Sequence, residues 1–183
     1  MKASKLKSLA IVMMAGSLLG TAETASAGPI VIDSGWVGFC FAAGAGNPAT
    51  SGCQNLANSA EGNPFTFTAA TDVLFKITDA FIPGDTFNVF DFGNLIISTV
   101  AGLGGPTTAD PDIAYASSTY GHGSAVLGAG NHEITVFTNA TPGGSGGAYL
   151  RVDTAAVPEP ATLALMGLGL AGMGWKNRRK AAV

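Results

Sequence analysis

The stretch Val73–Thr78 reads Val-Leu-Phe-Lys-Ile-Thr and decides the fold class of this 183-residue chain. Its odd-numbered side chains, Val73, Phe75 and Ile77, are all apolar and alternate with the even-numbered ones. Successive side chains of a strand point to opposite faces, so alternation with a period of two is typical of a strand with one buried face. The stretch therefore predicts a half-buried β-strand.

Similar short segments, bounded by Gly and Pro turns, lie on both sides of this strand. They occupy residues 29–32, 36–41, 65–68, 86–100, 121–127, 133–138 and 148–153. Residues 86–100 predict a hairpin that turns at Asp91–Asn94. Glu133–Thr138 and Ala148–Asp153 predict a second hairpin, joined across the Gly-rich loop Pro142–Gly147.

The segments between these strands predict loops, at about residues 44–64 and 101–116, because Gly, Pro, Asn and Asp cluster there. No stretch between residues 28 and 156 keeps a helical period. Many short strands separated by Gly and Pro turns predict an all-β fold, with a single antiparallel β-sandwich of jelly-roll or Ig-like type.

The amino-terminal end has the three parts of a secretory signal peptide. A basic start with Lys2, Lys5 and Lys7 precedes an apolar region, and Ala25-Ser26-Ala27 forms a small-x-small cleavage site. Residues 1–27 are therefore predicted to be removed after Ala27, with Ala25 and Ala27 as the residues read at the cut. The predicted β-sandwich domain then spans residues 28–156.

The carboxyl-terminal end, residues 157–183, is also tripartite. Val157-Pro158-Glu159-Pro160 precedes an apolar run over about residues 161–175, and the basic residues Lys176, Arg178, Arg179 and Lys180 follow. A helix over this run would be roughly 22 Å long at about 1.5 Å per residue, which is short for a bilayer core of about 30 Å. The basic end is predicted to stay cytoplasmic and to stop transfer.

These three features, in this order at the end of the chain, resemble the PEP-CTERM sorting signal of Gram-negative bacteria. The resemblance implies recognition by an exosortase, a membrane-embedded processing enzyme, and removal of the tail near Val157–Pro160. It also implies an inner-membrane intermediate, held by the transmembrane helix, before the protein reaches the cell surface or extracellular matrix. The alternative is a single-pass anchor that is never cleaved. More loosely, the segment Val73–Asp91 resembles a recurring ectodomain of PEP-CTERM proteins, which favours the sandwich.

Charge excludes one class of function. Between residues 28 and 160 only Lys76 and Arg151 are basic, against eleven acidic residues, so the formal charge is -9. A strongly acidic domain repels phosphates, which argues against nucleic-acid binding. Such a domain could attract divalent cations, although surface solvation explains the charge equally simply.

Cys40 and Cys53 are the two cysteines of the chain. In an exported protein such a pair predicts a disulfide bond. The bond would close a loop of twelve intervening residues and would stabilise the fold by about 2–3 kcal/mol. No histidine lies near them in the sequence, so a zinc site is not predicted.

Catalytic patterns are weak. Residues 143–147 read Gly-Gly-Ser-Gly-Gly and fit Gly-x-Ser-x-Gly, but a strand rather than a helix is predicted to follow, so a flexible loop is favoured. His122, with Ser124 nearby and Asp110 and Asp112 upstream, could form a triad only if folding brought them together. Gly121 and Gly123 instead predict a turn that holds His122. His132, at the start of a strand, has no predicted role.

Two binding sites can be considered from side-chain chemistry. Loop carboxylates could hold a structural calcium ion, although turn capping is the simpler role for them; they are Asp85, Asp91, Asp110 and Asp112. Exposed aromatic rings could stack on sugars, although core packing is the more frequent fate of such residues; they are Trp36, Phe39, Phe41, Tyr115, Tyr120 and Tyr149.

The sequence thus predicts a non-enzymatic exported protein, with no catalytic residues, metal or other cofactor, that acts at the cell surface or in the extracellular matrix. Its predicted partners are an exosortase-like enzyme and extracellular polysaccharide. The alternative is a carbohydrate- or surface-binding module of adhesin-like type. A hydrolase that uses His122 is the least favoured class.

Overall fold

We describe a computed structural model of the protein over residues 28–50, 56, 62–102, 104–156 and 166. The predicted signal peptide and, apart from Met166, the predicted sorting tail lie outside the described residues. Within those ranges no helix is long and apolar enough to cross a membrane.

Ten strands and one short helix make up the described domain. In chain order they are β1 Gly28–Pro29, β2 Val37–Phe41, β3 Ala49–Thr50, β4 Phe65–Ala69, β5 Val73–Asp79, β6 Thr86–Asp91, β7 Asn94–Ser98, α1 Pro111–Ala116, β8 His122–Leu127, β9 Gly130–Ala140 and β10 Gly146–Thr154. The strands form two five-stranded sheets, ordered β1-β4-β9-β6-β7 and β3-β2-β10-β5-β8. The predicted all-β class is confirmed.

The sheets are antiparallel except at one edge. There Gly28 pairs with Phe65 and Pro29 with Thr66 in parallel register. A short strand at the very start of the domain can pair in either direction, because no tight turn connects it to its neighbour and fixes its orientation. The prediction of a purely antiparallel arrangement was wrong at this edge.

One hydrophobic core lies between the two sheets. Phe39 of β2 contacts Phe65 of β4 at 5.9 Å and Phe87 of β6 at 5.6 Å between ring centroids, so rings from opposite sheets meet. Val73, Phe75 and Ile77 of β5 are fully buried in this core. Their alternation, seen first in the sequence, therefore marks the inner face of the second sheet.

The predicted hairpin at residues 86–100 is confirmed. β6 pairs with β7 in antiparallel register, and Asp91 lies opposite Asn94. The two central turn residues, Phe92 and Gly93, have φ values of 46° and 79°. Two-residue hairpin loops require such positive φ values because these turns match the twist of the flanking strands.

The predicted second hairpin was wrong. β9 pairs with β4 and β6 in the first sheet, whereas β10 pairs with β2 and β5 in the second. The Gly-rich connection therefore crosses from one sheet to the other. Alternation identifies the buried face of each strand, but either sheet can cover such a face, so the pattern does not name the partner.

A helix stands inside the predicted loop 101–116. Asp110 is its N-cap, and its side chain accepts hydrogen bonds from the N–H groups of Asp112 and Ile113. Pro111 occupies the first helical turn, where its missing N–H costs nothing. With six residues, α1 is too short to show a helical period, but the Asp-Pro start was a usable signal.

Gly121 and Gly123 do not form the predicted turn. His122 and Gly123 belong to β8, and His122 pairs with Thr78 of β5. A Cβ atom on Gly123 would lie 2.6 Å from Ile97 Cγ2 of β7. Gly123 therefore allows β8 and β7, the edge strands of the two sheets, to approach closely.

Candidate functional site

The residues of the possible triad do not meet. His122 Nδ1 lies 2.9 Å from the Tyr120 carbonyl oxygen. Asp110 caps α1, and Asp112 Oδ1 accepts a hydrogen bond of 2.8 Å from Trp36 Nε1. Among the described residues no hydrogen bond joins His122 to Ser124 or to either carboxylate. The arrangement lacks the nucleophile–base–orienter chain that a triad needs.

The Gly-x-Ser-x-Gly pattern lies in the connection between β9 and β10. Gly144 has a φ of 93° in this turn, and Gly146 already belongs to β10. A nucleophile elbow has a helix after the serine. A strand follows here, as predicted, so the segment has the local structure of a sheet-to-sheet connection.

The four carboxylates considered for calcium lie in separate places. Asp85 is buried near the start of β6, Asp91 bonds His132 at the end of that strand, and Asp110 and Asp112 stand at the start of α1. Each accepts at least one hydrogen bond from a protein donor. In the described part of the chain no three potential metal-ligating side chains converge.

The six aromatic residues considered for sugar stacking are divided by the fold. Phe39, Phe41, Tyr120 and Tyr149 are buried. Trp36 and Tyr115 remain half-buried at the surface and pack on each other, with ring centroids 5.6 Å apart. These six rings therefore do not form a shared platform, and core packing, the fate favoured from the sequence, holds for four of them.

Trp36 and Tyr115 belong to a small network on the outer face of the second sheet. Arg151 lies over the Trp36 ring, 6.0 Å from its centroid, and Lys76 Nζ lies 5.8 Å from the Tyr115 centroid. Both cations also bind Asp153, at 3.2 Å for Lys76 Nζ and 2.5 Å for Arg151 Nε. The rings contact protein groups, so the network's evident role is to fix α1 and residues before β2 on this sheet.

A pair of buried carboxyl groups lies between the end of β5 and the start of β6. Asp79 is fully buried; its Oδ1 accepts from the Ala80 N–H at 2.7 Å and its Oδ2 from the Asp85 N–H at 3.0 Å. Burial first, and the nearby Asp85 carboxyl second, raise the pKa of Asp79 to about 8. Burial also raises the pKa of Asp85. A role for Asp79 was not predicted from the sequence, because the alternating pattern of its strand is already complete at Thr78.

A groove of about 580 Å³ lies beside the turn of the β6–β7 hairpin. We call it the hairpin groove; its lining includes Thr66, Thr68, Phe92, Asn131, His132 and Glu133. Phe92 is 58% exposed although it is a large aromatic residue. Its position was visible in the sequence as a Phe in a turn where Asn, Asp or Gly is usual.

Cys40 lies half-buried on β2, and its backbone pairs with Thr50 of β3. Cys53, its predicted disulfide partner, lies outside the described residues. The disulfide therefore stays a prediction, as do the signal-peptide cleavage residues Ala25 and Ala27.

The domain ends directly before the predicted sorting motif. β10 is the central strand of the second sheet. Thr154, its last residue, donates from its N–H and its hydroxyl to the two carboxylate oxygens of Asp33, both at 2.8 Å. These bonds lower the pKa of Asp33. The Ala155 N–H donates to the Asp72 carbonyl at 2.9 Å, so backbone bonding continues to two residues before Val157.

The segment after β10 matches a known family model. The PEP-CTERM protein-sorting motif covers residues 156–180. No curated protein and no solved structure matches the chain. The tail thus defines an exported protein that is sorted toward the cell surface and directed to an exosortase.

The chain is a PEP-CTERM domain-containing protein, as the tail resemblance predicted. The matched range includes Val157–Pro160 and the basic residues Lys176, Arg178, Arg179 and Lys180. The separate role of each residue in sorting stays a prediction.

Proposed function

We propose that this protein is a non-enzymatic component of the cell surface or extracellular matrix. Residues 28–156 would act as a β-sandwich that an exosortase-like enzyme separates from its tail. The observation that carries the proposal is the position of the sorting motif, which begins at residue 156, directly after the central strand β10 ends at Thr154.

This position makes processing compatible with a stable domain. Central strands contribute hydrogen bonds on both sides, and β10 pairs with both β2 and β5. A cut within Val157–Pro160 would remove none of these bonds. The Asp33–Thr154 contact also ties the last strand to the beginning of the domain, so the new carboxyl end stays anchored.

A structural or binding role is favoured over catalysis by the chemistry of the described side chains. His122 bonds a backbone carbonyl, and His132 bonds Asp91 and the Gly128 carbonyl. Neither histidine is hydrogen-bonded to a serine hydroxyl among the described residues. General-base activation of a nucleophile requires that contact or a close approach to it.

The first test is the intact mass of the protein from membrane, surface and medium fractions. We expect a species that begins at Gly28 and ends near the Val157–Pro160 motif in the surface or medium fraction. Added mass at that end would show attachment to another molecule. In a variant with Pro158→Ala and Pro160→Ala, we expect the species that retains Arg178 and Arg179 to accumulate in the membrane.

The matched control is Thr162→Ala, which changes the tail but leaves both prolines in place. It should be processed as the unmodified protein is. The proposal fails if every fraction of the unmodified protein retains Arg178 and Arg179, because the tail would then act as a permanent anchor.

The second candidate is a carbohydrate- or surface-binding module. The hairpin groove favours this class, since an exposed aromatic ring and several polar side chains share one concave surface. Sites of this volume commonly hold small or extended ligands. Binding would be compatible with the proposed surface role and would give it a molecular basis.

A further inference from the structure

Phe92 occupies a backbone conformation that a large side chain rarely adopts. Its φ is 46°, in the left-handed region, which is unfavourable for residues with a Cβ and is tolerated best by Gly and Asn. The ring gains little burial in return, since it is 58% exposed. Strained conformations kept at exposed positions are enriched at functional sites.

The turn that carries Phe92 is held rigidly against β9. The Phe92 N–H donates to the Glu133 carbonyl at 3.0 Å. Asp91 binds β9 twice: Oδ2 lies 2.7 Å from His132 Nδ1, and Oδ1 accepts from the Glu133 N–H at 3.1 Å. A ring on such a support is pre-organised, so little conformational entropy is lost when it contacts a ligand.

His132 also holds the turn in place through its contacts with neighbouring residues. Its Nε2 lies 2.9 Å from the Gly128 carbonyl oxygen, and its ring stacks on Phe67 with centroids 4.8 Å apart. Each ring nitrogen thus lies within hydrogen-bond distance of a protein oxygen, which fixes the orientation of the ring. His132 is a positioning residue for the turn.

Polar side chains beside Phe92 match the hydroxyl groups of a sugar. The hairpin groove includes the hydroxyls of Thr66 and Thr68, the amide of Asn131 and the carboxylate of Glu133. Thr68 Oγ1 donates to Asn131 Oδ1 at 2.8 Å, which leaves the Nδ2 group of that amide as a donor. Hydroxyls both donate and accept, so they can pair with every group in this set.

Charge narrows the ligand to an uncharged polymer. The carboxylate of Glu133 faces the groove, and residues 28–160 carry a formal charge of -9. The two cations of the domain, Lys76 and Arg151, lie on β5 and β10 of the other sheet. An anionic polymer would meet repulsion without a compensating cation.

We propose that the hairpin groove binds a neutral polysaccharide chain, with the Phe92 ring stacked on the apolar face of one sugar and the surrounding polar groups bonded to its hydroxyls. The inference deepens the proposed function, because export to the surface would place the groove beside extracellular polysaccharide. The substitutions that test this inference lie in the domain and leave the sorting tail unchanged, so binding and sorting can be measured separately.

The test is affinity electrophoresis of the exported protein in native gels. Separate gels contain dextran, hydroxyethyl cellulose, galactomannan or xyloglucan as neutral probes, and alginate as the anionic probe. We expect retardation in at least one neutral gel and none in alginate. Phe92→Asn should weaken the binding by about tenfold or more through loss of stacking, while its melting temperature stays equal to or above that of the unmodified protein because Asn tolerates the left-handed region.

Leu95→Ala is the matched control, since Leu95 is 57% exposed on the same hairpin and is not among the groove residues named above. It should bind as the unmodified protein does. The proposal is overturned if no neutral gel retards the protein, if alginate alone retards it, or if Phe92→Asn and Leu95→Ala bind equally well. If the exported protein is found without its tail and no probe gel retards it, this inference is overturned, whereas the proposed sorting still stands.

Discussion

Replacing Gly121 by alanine is expected to unfold the domain or to lower its melting temperature by about 10 °C or more. A Cβ atom at this position would overlap the Asp85 carbonyl oxygen and would lie 3.2 Å from Thr86 Cα. Both are backbone atoms, so no side-chain rotation can relieve the clash. The change would force apart β8 and the start of β6.

Neither backbone segment is free to move. The Gly121 carbonyl accepts a hydrogen bond of 2.8 Å from the Asp79 N–H. The Asp85 N–H donates to Asp79 Oδ2 at 3.0 Å, which fixes the opposite side of the contact. Relief of the clash would therefore break a buried hydrogen bond, at a cost of about 1–3 kcal/mol, in addition to the lost packing.

Gly128→Ala is the matched control for this prediction. Gly128 has no other atom within 4 Å of an added Cβ, so the same change there should alter stability by less than about 0.5 kcal/mol. Thermal unfolding followed by circular dichroism compares the variants. Equal melting temperatures for Gly121→Ala and Gly128→Ala would show that β8 and β6 do not approach this closely.

Stability is also expected to fall as the pH rises from about 4 to about 8. Burial and the neighbouring Asp85 carboxyl raise the pKa of Asp79 to about 8 in the folded protein, whereas an aspartate in the unfolded chain titrates near pH 3.9. Between these values the folded state binds more protons than the unfolded state. The free energy of unfolding therefore decreases with pH across this window, with a limiting slope of about 1.4 kcal/mol per pH unit.

Asp85→Asn should reduce this dependence. The amide has nearly the same shape but no charge, so the part of the rise in the Asp79 pKa that the Asp85 carboxyl causes disappears, while the part due to burial stays. The pH range over which stability falls should therefore end at a lower pH. Asp72→Asn is the control, because Asp72 is exposed and its carbonyl rather than its side chain bonds Ala155. Urea unfolding at several pH values measures the effect; a flat profile between pH 5 and 8 in the unmodified protein would contradict it.

Local chemistry explains why much of the fold was predictable. Val73, Phe75 and Ile77 can all be buried only if their strand presents one face to the core, so their alternation predicts both the strand and its inner face. The hairpin around Phe92 and Gly93 was predictable for a similar reason, since a short turn can join only adjacent antiparallel strands. The sorting tail could be identified without knowledge of the fold, because the motif is defined by the order of residues along the chain.

Features that depend on distant partners were not predictable. Glu133–Thr138 and Ala148–Asp153 both have a clear buried face, yet only packing of the complete core assigns them to different sheets. Gly121 was predicted to belong to a turn. Its actual role is to leave room for the backbone of residues 85 and 86, which are far away in the sequence and approach it only in the folded domain. Asp79 likewise acquires its raised pKa from burial that exists only in the assembled domain.

The sequence by itself determined the β class, the first hairpin and the sorting address of this protein. Each depends on residues that are near one another in the chain. Only the tertiary structure decided the pairing of β9 and β10, the buried Asp79–Asp85 pair and the groove beside Phe92. These depend on which strands pair and which surfaces pack when the two sheets enclose a common core. Local sequence patterns are compatible with several such arrangements.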